Sequence, residues 1–240
     1  MKSSAEDLRK RGKYEQADLD ALSSLDSSLL FEKINSCMPA ERSAAVHLLS
    51  ERKDIDPEYL TDLILQRLSV ENSLYTKIEI CSVLEKGGCS TAKKMTAYLG
   101  KIGQNQYTAL PDSVSKKKSY PLPRDIIARS LGKMDASVLP VLLDVLMSGD
   151  ASAVSEVLDA IGFLVFYNPQ SATPENLDAV LSALTKFSDN DLIQWKLMIC
   201  LSAFPLPKSL DILNHVIETS EIPIFREEAL RSKNLTVHRH

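Results

Sequence analysis

Residues Pro123–Gly132 read PRDIIARSLG. Arg124 is followed three residues later by Ile127 and seven residues later by Leu131, a spacing that places apolar side chains on one face of a helix. The same register recurs along the chain. In a slot occupied by Arg42, Lys77, Arg124, Val154, Gln194 and Arg226, the residue three places on is Ala45, Ile80, Ile127, Val157, Leu197 or Ala229. Seven places on come Leu49, Leu84, Leu131, Ile161 and Leu201, with Lys233 the departure in the last copy. Successive slots lie 35, 47, 30, 40 and 32 residues apart, so the register is kept while the connections vary in length. A period of this size marks a repeat of supersecondary units, each needing its neighbours to bury its apolar face.

The segments before these helices echo one another as well, in YLTDLILQRL, VLPVLLDVLM, NLDAVLSALT and SLDILNHVIE. Asp56-Pro57-Glu58 and Thr173-Pro174-Glu175 each supply a capping side chain, a proline for the first helical position and an early acid, which predicts a helix start at both places. Ala92, Met95, Leu99 and Ile102 share one face, with Lys94, Tyr98 and Lys101 on another, so a helix is predicted over 92–102. Glycine is scarce and no stretch shows strand alternation, so the expected fold is all-α.

PRDIIARSLG resembles the second helix of the HEAT-repeat family, FREEAL at Phe225–Leu230 gives the first half of that run, and VLPVLLDVL at Val138–Leu146 is similar to the proline-bearing first helix. The resemblance implies a right-handed α-solenoid of about six stacked antiparallel helix pairs. Residues 1–25 are then an N-terminal arm or capping helix, and 26–240 a single solenoid domain with an inserted loop at about 103–120. Members of the family usually carry an aspartate six residues before the arginine slot. Here those positions are Ser36, Glu71, Lys118, Ser148, Ser188 and Ser220, and Val154 and Gln194 break the basic slot.

The apolar runs fall far short of the roughly 20 residues a membrane span needs. The charged start MKSSAEDLRKRGK has no signal-peptide core, so a cytoplasmic location is expected. Cys37, Cys81, Cys89 and Cys200 form no C-x-x-C pair and read as reduced, mostly buried thiols. His47 and His215 lie on helices, and His238 and His240 in the tail HRH supply no third ligand at metal spacing. No H-E-x-x-H, G-x-S-x-G, P-loop or dinucleotide fingerprint is present, so no catalytic, cofactor or metal residue is assigned. Trp195, the sole tryptophan, reads as a core residue.

Charge is distributed unevenly. Residues 86–134 carry ten basic and two acidic side chains, for +8, and 135–204 carry two basic and nine acidic, for −7. The positive block contains the inserted loop with Lys116, Lys117 and Lys118, closed by Pro121-Leu122-Pro123. Prolines there set the angle at which the chain enters the next helix. Arg129 has an obvious intramolecular partner in Asp125 at i−4. The candidate partner-binding residues are Lys93, Lys94, Tyr98, Lys101, Tyr107, Lys116, Lys117, Lys118 and Tyr120, with the 107–120 segment expected to be exposed.

Three readings follow. The first is a non-enzymatic protein–protein interaction scaffold that meets an acidic partner surface through this block, beside its acidic flank. The second is nucleic-acid binding, with the tyrosines as stacking platforms. The third is an enzyme: bilin lyases and a group of DNA glycosylases look like HEAT-type solenoids, but no motif here carries either activity over. Contact between the +8 and −7 blocks of two copies makes self-association a further possibility. A lysine run that serves only solubility is the plain alternative to all of them.

Overall fold

The positions that set the repeat register are the core. Three residues after the slot, Ala45, Ile80, Ile127, Val157, Leu197 and Ala229 are fully buried; seven after it, Leu49, Leu84, Leu131, Ile161 and Leu201 are at most 1% exposed. The computed structural model describes residues 4–237, and among them it has fourteen α-helices, two 3-10 turns and no strand. No described helix is long and apolar enough to cross a membrane. His238 and His240 lie outside the described residues.

The chain divides into two compact units, one up to Lys94 and one from Met95. The first contains α1 (Ala5–Lys10), α2 (Gln16–Ser23), α3 (Ser27–Lys33), α4 (Pro39–Glu51), α5 (Pro57–Val70), α6 (Leu74–Glu85) and most of α7 (Cys89–Thr96). Pro39 and Pro57 occupy the first helical position, where a missing N–H costs nothing, and Asp56 caps α5 by accepting from the Glu58 N–H at 3.1 Å. α4 is the centre of this unit and packs against α1, α2, α3, α5 and α6. The N-terminal segment is fixed on α4 and α6: α1 and α2 pack on α4, α2 buries Asp18 and Leu22, Arg9 pairs with Asp18, and the Tyr75 N–H of α6 donates to the Arg11 carbonyl at 2.9 Å.

A buried ion pair ties α4 to the end of α5. Arg42 donates to Glu71 from Nε at 2.8 Å and from Nη2 at 2.7 Å, the Asn72 and Ser73 N–H groups donate to the same carboxylate, and Arg67 Nε lies 3.1 Å from its Oε2. Burial pushes the Glu71 carboxyl up, but Arg42 and the Ser73 N–H outweigh it and hold it below the usual range. Arg42 also donates to the Ser36 carbonyl at 2.7 Å, and Arg226 repeats that bond to the Ser220 carbonyl at 2.6 Å. Six residues before the slot stand Ser36 and Ser220, and both arginines bond the backbone carbonyl at that position.

The second unit contains α8 (Ile126–Leu131), α9 (Leu139–Ser148), α10 (Ala151–Tyr167), α11 (Pro174–Lys186), α12 (Asp191–Leu201), α13 (Pro207–Thr219) and α14 (Pro223–Val237). α10 packs on α8, α9 and α12; α12 packs on α11, α13 and α14; α9 packs on α11, and α13 on α14. The start at Thr173-Pro174 forms as expected, with the Thr173 hydroxyl accepting from the Asn176 N–H at 3.2 Å.

The helix expected over 92–102 ends at Thr96. Its apolar face is buried as expected, but Gly100 (φ +72°) and Gly103 (φ +87°) take left-handed conformations that break the helical path. The Gly100 N–H donates to Asp125 Oδ2 at 3.2 Å. Asp125 also caps α8 through the Ala128 N–H at 2.8 Å and accepts from the Gln106 side chain at 2.7 Å. With its oxygens committed there, Asp125 does not pair with Arg129, which donates to the Pro123 carbonyl at 2.9 Å instead. All four cysteines are free; Cys81 and Cys200 are buried, whereas Cys37 and Cys89 are exposed.

Candidate functional site

The segment from Gly103 to Asp125 has no helix of its own and is held against α10 and α14 by two side chains. The first is Tyr120, whose ring is 3% exposed and packs against Phe163 (centroids 6.3 Å apart) and Phe166 (5.4 Å) of α10. Gly162 makes the fit possible, because a Cβ built there falls 1.7 Å from the Tyr120 hydroxyl. That hydroxyl is buried with no hydrogen-bond partner, and burial pushes its pKa well above the usual tyrosine value. Tyr120 was expected as an exposed platform. Its aromatic surface finds apolar partners on α10, so it is the loop's anchor and is closed to any ligand.

The second is Arg231 of α14, which donates to the carbonyls of Ser115 (2.8 Å), Lys117 (3.4 Å) and Ser119 (3.1 Å) and from Nη1 to Glu228 Oε1 (2.8 Å). The clamp satisfies loop carbonyls while leaving Lys116, Lys117 and Lys118 exposed. Those lysines, with Val114 and Ser115, form one side of an open groove of about 960 Å³; Phe166, Glu227, Leu230, Arg231, Asn234 and Leu235 form the other. Leu230 is 49% exposed in this groove, an apolar side chain without cover.

Other candidates sit elsewhere. Lys94 belongs to the first unit and is engaged there: Nζ donates to Asp62 at 2.6 Å and to the Glu58 carbonyl at 3.0 Å, and the Asp62 bond raises its pKa. Lys93 is exposed on the same helix. Lys101 is exposed and donates to the Ala97 carbonyl at 2.7 Å; Tyr98 is half-buried.

Tyr107 lies at a different opening. Its ring meets Trp195 edge-on, with centroids 5.1 Å apart, and the Arg124 guanidinium lies over its face at 4.2 Å. These residues line a cavity of about 280 Å³, together with Asp159, Ile199, Glu228 and the chain at 113–115 and 121–123. Trp195 is buried as expected, at 4% exposure. Its indole N–H is near the Glu228 carboxylate but not in hydrogen-bond geometry with it.

Beneath the cavity, fully buried Lys196 bridges Glu156 (2.8 Å) and Asp159 (2.9 Å). Burial raises the carboxyl pKa of Glu156, Asp159 and Glu228 against the pull of Lys196 and Arg231. Burial also works against the Lys196 ammonium, but Asp159 and Glu156 outweigh it and keep its pKa above the usual lysine value.

This network was missed from the sequence although the register contains it. Glu156, Lys196 and Glu228 all stand two residues after the slot, and Asp159, Ile199 and Arg231 stand five after it. Equal register on α10, α12 and α14, packed in that order, brings them to one wall.

His47 contacts Glu79 through Nδ1 at 3.0 Å. No group of three His, Cys, Asp or Glu among the described residues is arranged to hold a metal ion.

The fold and site together are those of an all-helical protein with a basic loop docked beside an apolar groove. No family model matches the chain, and no curated protein matches it.

Proposed function

We propose that this chain is a non-enzymatic interaction module of the HEAT-like α-solenoid kind, and that its groove takes an acidic, amphipathic segment of a partner protein. The solenoid reading is supported in the second unit by the order of packing, α10 on α12 on α14 with α9 on α11, and by burial of the residue three places after the slot in every repeat. The observation that carries the functional reading is the juxtaposition of Lys116–Lys118 with the uncovered Leu230 across one groove. An apolar floor beside a cationic rim suits a helix with leucine or phenylalanine on one face and carboxylates along its edge. A run of lysines kept only for solubility has no need of a loop pinned by three carbonyl bonds. Nucleic acid is disfavoured, since Tyr120 is buried and Lys94 is paired, which removes a stacking platform and a phosphate contact from the proposed track.

Selection from a random peptide display library tests this reading. Peptides recovered on the intact chain are expected to combine Asp and Glu with Leu or Phe, and not to be recovered on Leu230→Asp. Recovery of basic peptides, or equal recovery on Leu230→Asp, refutes it.

A further inference from the structure

We propose that the cavity between Tyr107, Trp195, Asp159 and Glu228 binds a small organic cation, an alkylammonium or guanidinium group, held by the two carboxylates between the aromatic walls. The proposal is independent of the groove.

Each carboxylate is already oriented by a cation behind it: Lys196 Nζ lies 2.9 Å from Asp159 Oδ2, and Arg231 Nη1 lies 2.8 Å from Glu228 Oε1. No described donor bonds the other oxygen of either group, Asp159 Oδ1 or Glu228 Oε2, so acceptor capacity remains on the cavity wall. The supporting charge is incomplete too. Glu156 Oε2 is buried without a partner, and Asp125 acts on both Glu156 and Asp159; these three carboxylates and Glu228 outnumber Lys196, Arg231 and Arg124, the last of which also acts on Asp159. A cation entering the cavity offsets that excess, whereas an anion adds to it.

The walls favour the same ligand. The faces of tyrosine and tryptophan rings attract ammonium and guanidinium groups, and Arg124 already places a guanidinium 4.2 Å from the Tyr107 centroid. Arg124 is exposed at the mouth and makes no ion pair with the described residues, so it acts as an internal competitor for the site. Size narrows the class. At about 280 Å³ the space falls just below the usual range for drug-sized ligands, enough for an amine, a guanidine or the end of a lysine or arginine side chain, but not for a nucleotide cofactor.

Trp195 is the only tryptophan, so its fluorescence reads the cavity directly. The full chain is titrated with methylguanidinium chloride and n-butylammonium chloride, with sodium chloride and sodium butyrate at matched ionic strength as controls. The cations are expected to give a saturable change with a dissociation constant on the order of 1 mM, as suits ligands of so few atoms. Arg124→Ala is expected to tighten cation binding roughly 2- to 5-fold by removing the competing charge, and Glu228→Gln to abolish saturation. Glu228→Gln disturbs the Arg231 pair, so helicity is checked by circular dichroism; where that variant misfolds, the Arg124→Ala result alone decides. A change no different from that of sodium chloride, saturation by butyrate instead of the cations, or weaker cation binding in Arg124→Ala overturns the proposal.

Discussion

Replacing Tyr120 with phenylalanine should stabilise the protein, although Tyr120 is 3% exposed and sits at the anchor of its longest loop. The ring contacts to Phe163 and Phe166 are unchanged by the substitution. What is removed is a hydroxyl that is buried without a partner and crowds Gly162. A buried, unsatisfied polar group costs about 1–3 kcal/mol. Recovering even the lower end of that cost should raise Tm by roughly 2–4 °C for a chain of this size. Tyr120→Ala is the control: it leaves a cavity between the loop and α10 and should lose about 3–5 kcal/mol, the usual range for deleting a buried aromatic ring. Urea unfolding followed by Trp195 fluorescence measures both, because tryptophan and tyrosine lie in the same unit. Destabilisation of Tyr120→Phe by about 1 kcal/mol or more would falsify the account, since the hydroxyl must then have a partner, such as a bound water.

Three further outcomes follow from the charged interior. Lys196→Met leaves Glu156 and Asp159 buried without their shared cation and should cost about 3–5 kcal/mol in urea unfolding; a loss below about 1 kcal/mol contradicts the network. Arg231→Ala releases the Ser115, Lys117 and Ser119 carbonyls, so amide exchange across 115–120 should speed up markedly while that of α12 changes less; unchanged exchange in the loop shows that the clamp holds nothing. The raised carboxyls of Glu156, Asp159 and Glu228 bind protons more tightly in the folded state than in the unfolded one. Their contribution is therefore full below the ordinary carboxyl pKa of about 4 and falls as pH rises through the raised values. Glu228→Gln should flatten that part of the stability profile, and an identical slope in the variant is the contrary result.

The all-helical fold was legible because burial follows a period that side-chain identity records directly: each apolar residue three places after the slot is fully buried. The proline-led helix starts were legible for the same local reason, since capping needs only neighbours in sequence. The early end of α7 was harder to read, because Gly100 and Gly103 permit a left-handed backbone without requiring it. Long-range choices were not legible at all. Asp125 could serve Arg129 or the α8 N-terminus, and Gly100 and Gln106, more than fifteen residues away, join the cap that it forms. Tyr120 read as a loop tyrosine because its partners lie more than 40 residues on, in α10. The Glu156–Lys196 bridge had a visible signal, lone charges at equal register inside apolar helices, which a comparison restricted to the apolar positions passes over.

The central claim is that the groove beside the docked loop is a charge-reading surface. It is tested most directly by fluorescence anisotropy of an acidic, amphipathic peptide selected on this chain, titrated with the wild-type protein and with Lys116→Glu, Lys117→Glu and Lys118→Glu combined. Three exposed charge reversals, each worth about 0.2–1 kcal/mol in a surface ion pair, predict roughly 3- to 150-fold weaker binding at low salt. The difference should shrink as salt is raised, and stability should change by no more than about 0.5 kcal/mol per site. Equal affinity of the two proteins at low ionic strength contradicts the claim and leaves the lysines as solubility residues.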